Sequence, residues 1–162
     1  MSVQNPLRSF VDKVNRYPDW LSSRLITWVF RHKVKLAGTA GLVIVETDGK
    51  TALFKQKNRK KVQNHIGGVH AVTMALLAES STGFVVGINL PGDKLPLIKT
   101  MNLKYVKRCS GDITAVASVT DEQIALMNSD AKGEVVVKVE ITDANNDEPM
   151  VAEMTWAWVP RK

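Results

Sequence analysis

Apolar residues recur at helical spacing in the first part of the chain and alternate through most of the rest. Leu7, Phe10, Val11 and Val14 repeat every three or four positions, the period of an amphipathic helix. Pro18 interrupts this pattern, Asp19 is a candidate cap, and Trp20, Leu21, Leu25, Ile26, Trp28, Val29 and Phe30 resume it. From Leu36 the pattern changes to strand. Leu42 to Val45 lead into Asp48-Gly49, a hairpin-turn dipeptide, and a second run follows from Thr51 to Lys57. Val69 to Val86 is apolar almost all round, which predicts a helix buried on most sides. Four strand-like runs then follow: Leu97 to Val106, Ile113 to Thr120, Glu134 to Thr142 and Met150 to Val159. In the third, Val135, Val137, Val139 and Ile141 face one way while Lys138 and Glu140 face the other. Asp121 to Met127 is a candidate short helix between strands.

Alternating faces joined by hairpin-length turns predict an antiparallel sheet. A helix of about eighteen residues spans roughly 27 Å, enough to cross that sheet. The fold class is therefore α+β: a curved antiparallel sheet wrapped around one long central helix, the hotdog architecture. Residues 1–34 are expected to form a helical segment packed on the domain, and residues 35–162 the hotdog domain itself.

At 162 residues, one ordinary domain accommodates the whole chain. The lone Cys109 makes no internal disulfide, and three histidines without HxH or HExxH spacing give no metal-site signature. A reducing cytoplasm, no metal and no resident cofactor are the expectations. Met1 to Phe10 lacks the pattern of a signal peptide. The central apolar run carries His70, Glu79 and several hydroxyls, which is polar for a membrane span. The net charge of +6 favours polyanionic partners: nucleic acid, anionic lipid or a phosphorylated cofactor such as coenzyme A.

The segment richest in chemistry is Asn64-His65-Ile66-Gly67-Gly68-Val69-His70-Ala71, with Glu79 further along. Gly67 and Gly68 permit unusual backbone angles and close approach of a ligand. The first amides of the following helix, from Val69 to Ala71, are unpaired and sit at its positive end. With the backbone of Gly68 they are candidate donors to a developing oxyanion; a tight entry turn accounts for the glycines equally well. Glu79 lies mid-helix beside Leu76, Leu77 and Ala78, where a carboxylate is costly unless paired or used. The alternative is a wet helix edge. Nine residues separate His70 from Glu79, which places them on opposite sides of the helix at about 100° per residue. If both serve one site, a second subunit supplies one of them, predicting a symmetric dimer with two composite sites.

The run Asn64, Gly67 and His70, followed by Leu77-Ala78-Glu79 and Gly83, resembles the hotdog thioesterases of the phenylacetic-acid type. It is more closely similar to the branch known as the domain of unknown function numbered 4442. The resemblance covers about Leu36 to Pro160. It implies hydrolysis of an acyl thioester of coenzyme A or a carrier protein by a homodimer or tetramer. It also implies catalytic roles: Asn64 holds the thioester or the attacking water, and His70 orients the loop. The following amide, of Ala71, polarises the carbonyl, and Glu79 of the other subunit acts as general base or nucleophile. Two departures stand out. Ala71 and Val72 occupy positions that are often glycine in the family, and the hydroxyl that helps place water has only Thr100 as a nearby candidate, beside Ser80, Ser81 and Thr82.

Lys57, Arg59, Lys60 and Lys61, with Lys55, form a basic group just before Asn64. It reads as a solvated strand end or as a landing site for coenzyme A phosphates. Nucleic acid is disfavoured, because no aromatic alternates with the basic run. Two tryptophans flanked by Arg24, Arg31 and Lys33 leave membrane contact by the N-terminal helix as a second reading of that segment. A non-catalytic acyl-ligand binding protein is the alternative to the enzyme.

Overall fold

The computed structural model describes residues 3–161. Three helices open the chain: α1 (Pro6–Val14), α2 (Asp19–Lys33) and α3 (Lys35–Ala40). A hairpin of β1 (Val43–Thr47) and β2 (Thr51–Gln56) precedes the long helix α4 (Ala71–Asn89). Then come β3 (Lys94–Tyr105), β4 (Ile113–Ser118), α5 (Asp121–Ser129), β5 (Gly133–Asp143) and β6 (Met150–Pro160). The strands form one sheet in the order β1-β2-β4-β5-β6-β3, antiparallel at every pairing. Helix α4 crosses this sheet, packing on β2, β3, β4, β5 and β6. This is the hotdog fold. By length and composition α4 could cross a membrane, but more than half of it is buried inside the protein, as a core helix must be.

The alternation seen in the sequence becomes burial. On β5, Val135, Val137, Val139 and Ile141 are buried, and Glu134, Val136, Lys138 and Glu140 are exposed. On β6, Met154, Trp156 and Trp158 face the same core.

Two expectations at the N-terminal end are corrected. The strand expected from Leu36 starts at Val43, because Lys35–Ala40 is helical and ends at Gly41 in the left-handed conformation, φ 81°. Thr39 is its one β-branched residue, and buried Ala37 and Ala40 favour a helix turned inward. Asp19 does not cap α2: Pro18 holds the cap position and Asp19 lies in the first turn, where its charge still suits the positive helix end.

The N-terminal helices are built into the core. Phe30 of α2, Phe54 of β2 and Phe84 of α4 meet edge to face, with ring centroids 5.4–5.8 Å apart; such pairs contribute about 1 kcal/mol each beyond their burial. Thr27 accepts from the Ile44 amide at 2.9 Å, and Ser23 donates to the Ile44 carbonyl at 2.7 Å. Helix α2 thereby covers β1, an edge strand that would otherwise invite pairing. The Asn5 side chain caps α1 and also donates to the Gly87 and Leu90 carbonyls at the end of α4. The opposite edge, β3, is open. Leu95, Leu97, Ile98, Met101 and Tyr105 are all at least 37% exposed along it.

Candidate active site

Two clusters on α4 carry the chemistry, and they are separate within the chain. The first is the loop into α4. Asn64 Oδ1 accepts from the Ile66 and Gly68 amides at 3.0 and 3.1 Å, and the Asn64 amide donates to the Gly68 carbonyl at 2.8 Å. Gly67, between them, has φ 83°, an angle that glycine adopts without strain. Its space is open, with no atom within 4 Å of a notional β-carbon. Asn64 thus shapes the loop through its oxygen, while its Nδ2 donates no hydrogen bond among the described residues.

His70 is the N-cap of α4. Its Nδ1 accepts from the Val72 amide at 3.1 Å. A ring nitrogen that accepts carries its lone pair, so in this arrangement the proton sits on Nε2. The His70 amide donates to the Val62 carbonyl at 2.8 Å. Gly68 donates to Asn64 and Val72 to His70. The Ala71 N–H is left without an acceptor among the described residues, at the positive end of the helix. Tyr105 donates to the Ala71 carbonyl at 2.8 Å, tying the end of β3 to this turn.

The second cluster surrounds Glu79, about 12 Å further along the helix. Val72, Leu76, Glu79, Gly83 and Gly87 form the one stripe of α4 that is not fully buried. Glu79, half-buried, opens into a cavity of about 250 Å³. Phe84, Pro96 and Trp156 line it from the core side, and Leu7, Val29 and Phe30 from the N-terminal helices. Burial pushes the Glu79 carboxyl above its ordinary value, and a 3.2 Å hydrogen bond from Ser80 opposes part of that rise. The Trp156 indole N–H donates to Thr82 Oγ1 at 2.9 Å and lies flat enough against α4 that only glycine fits at position 83.

Of the other residues singled out in the sequence, Thr100 is exposed on β3 and does not line this cavity. Lys57, Arg59, Lys60 and Lys61 are exposed beside the loop, where Lys61 donates to the Thr39 carbonyl. Reading the sequence missed the cavity wall from Leu7, Val29 and Phe30. Glycines four and eight residues after Glu79 were the available signal, since they mark where α4 leaves room. No group of three metal-ligating side chains occurs among the described residues.

Solved structures share this fold. A protein of unknown function from Pseudomonas aeruginosa, described as a probable thioesterase, matches with TM-score 0.76 at 19% identity, over 85% of this chain and 95% of its own. A thioesterase from Haemophilus influenzae matches with TM-score 0.67 at 14% identity, over 89% and 92%. A mutant of a thioesterase from Staphylococcus aureus matches with TM-score 0.67 at 19% identity, over 78% and 99%. No curated protein matches the chain. A family model matches residues 22–159, from within α2 to the end of β6, and the chain therefore belongs to the family described as the domain of unknown function DUF4442.

Proposed function

We propose that this protein is a cytoplasmic acyl-CoA thioesterase whose active sites form between two copies of the chain. The observation that carries the reading is Glu79: a carboxylate with a raised pKa in an apolar cavity, with Ser80 as its hydrogen-bond donor. Such a group is a stronger base than an exposed carboxylate. The free Ala71 amide supplies the complementary electrophilic element. One chain holds the two about 12 Å apart along α4, so a second copy is needed to bring them together. The long exposed apolar edge of β3 is the surface for that pairing.

In the reaction, Glu79 takes a proton from water as the hydroxide oxygen adds to the thioester carbonyl carbon. The oxyanion is held by the Ala71 amide of the other copy. Collapse breaks the carbon–sulfur bond, and Glu79 returns the proton to the departing thiolate, giving free acid and thiol. His70 Nε2–H and Asn64 Nδ2 are the donors available to orient the thioester.

The test is thiol release from a panel of acyl-CoA thioesters, with Glu79→Gln and His70→Ala assayed singly and mixed. Each variant alone is expected to be inactive. Random reassortment puts one intact composite site in half of the dimers, restoring about one quarter of wild-type activity. Mixed variants that stay inactive while exchanging subunits would refute the shared site, and an active Glu79→Gln would refute the base.

One observation favours a second reading. Asn64 Oδ1 and His70 Nδ1 are both spent on backbone amides, as in a loop built for shape. A non-catalytic acyl-ligand binding protein would bind the panel without releasing thiol.

A further inference from the structure

Three cations meet at the end of α3 with no carboxylate among them. The place a β-carbon would take on Gly41 lies 3.6 Å from Arg59 Nη1, 3.8 Å from Lys61 Nζ and 3.9 Å from Arg31 Nη2. None of the three makes an ion pair among the described residues. Backbone carbonyls hold two of them in place: Arg31 donates to Leu42 at 2.6 Å and to Gly41 at 2.8 Å, and Lys61 donates to Thr39. Arg59 is exposed and donates no side-chain hydrogen bond among the described residues. Burial, and then the charge of Arg59, lower the pKa of Arg31. Like charges fixed together around an unfilled glycine are arranged for a multiply charged anion.

Arg31 also lines a groove of about 600 Å³ beside α2, with Arg24, Trp28 and His32. Trp28 is 60% exposed, and His32 supports its indole at a centroid distance of 4.5 Å. An exposed, braced indole is a stacking platform for a base, and guanidinium groups pair well with phosphate.

We infer that the nucleotide end of the substrate binds across this groove and the cation cluster that joins it at Arg31, with phosphates at Arg31, Arg59 and Lys61 around Gly41 and the base against Trp28. The choice of coenzyme A among phosphorylated nucleotides rests on the thioesterase reading. The location agrees with it: Lys61 directly precedes Val62, whose carbonyl accepts from the His70 amide at 2.8 Å. A nucleotide held here leaves its acyl arm free to reach the start of α4.

The experiment is calorimetric titration of the intact protein with coenzyme A, adenosine 3′,5′-bisphosphate, pantetheine and inorganic pyrophosphate, in wild type, Arg59→Glu and Trp28→Ala. Both side chains are exposed, so both variants are expected to keep the wild-type melting temperature. Affinity for coenzyme A and the bisphosphate is expected to fall about tenfold or more in Arg59→Glu and severalfold in Trp28→Ala, with pantetheine indifferent to both. Coenzyme A affinity unchanged in Arg59→Glu would overturn the site. So would pyrophosphate binding as tightly as the bisphosphate with Trp28→Ala silent, which would leave a bare anion site. Binding is read without turnover, so the two readings fail separately. Nucleotide binding by a protein that cleaves no thioester would keep this groove and remove the enzyme, whereas cleavage with a KM untouched by Arg59→Glu would do the reverse.

Discussion

Two glycines one turn apart on α4 should respond in opposite directions to the same added methyl. A β-carbon on Gly83 would sit 2.5 Å from Trp156 Cζ2 and 2.6 Å from Cη2. Ordinary carbon contacts are about 3.5–4.0 Å, so the indole must retreat by roughly 1 Å. Trp156 is 6% exposed and its N–H donates to Thr82 at 2.9 Å, so a retreat strains a packed core and stretches that bond. Overpacking costs about 1–3 kcal/mol and the bond about 1 kcal/mol. Replacing glycine by alanine inside a helix returns about 1 kcal/mol. Gly83→Ala should therefore lose about 1–3 kcal/mol. Gly87 has nothing within 4 Å of its notional β-carbon, so Gly87→Ala keeps only the helix gain and should stabilise by about 0.5–1 kcal/mol. Urea unfolding of both variants at one protein concentration measures the difference. Equal midpoints for the two would refute the claim that Gly83 exists to admit Trp156.

The remaining predictions concern the site. The folded-state pKa of Glu79 is raised above its ordinary 4.5, chiefly by burial. Its stabilising contribution is thus full below about pH 4.5 and is lost as pH rises through the folded value. Glu79→Gln should accordingly gain stability over wild type as pH rises above about 4.5; parallel stability curves would count against the raised pKa. Asn64→Ala should free the Ile66 and Gly68 amides, costing about 1–2 kcal/mol locally and speeding their hydrogen exchange, whereas Asn64→Asp should keep the loop and lose only the Nδ2 donor. Protection of both amides unchanged in Asn64→Ala would show that the loop does not depend on this side chain. His70→Ala should cost about 1 kcal/mol as a lost helix cap, read by thermal unfolding, and a variant as stable as wild type would remove His70 from the cap.

The sequence alone determined the strands, the central helix and the pairing of polar groups with particular turns. Period and composition are local properties: Val135 to Ile141 alternate whatever they pack against, and an apolar helix such as α4 has no stable place except a core. The glycine pair before His70 likewise announces a turn into a helix without reference to the rest of the chain. Short, weakly patterned Lys35–Ala40 carries no local helix signal, because its helix depends on burying Ala37 and Ala40. The tertiary structure decided what Glu79 faces. Its cavity is walled by Leu7, Val29 and Phe30, more than forty-five positions away in sequence, and no local period records which helix will cover which stripe. It also decided that Asn64 and His70 spend an acceptor each on the loop, and that Arg31 from α2 joins Arg59 and Lys61 around Gly41. Each of these is a contact between segments that only chain folding brings together, and the identity of a site lies in such contacts more than in the residues that make them.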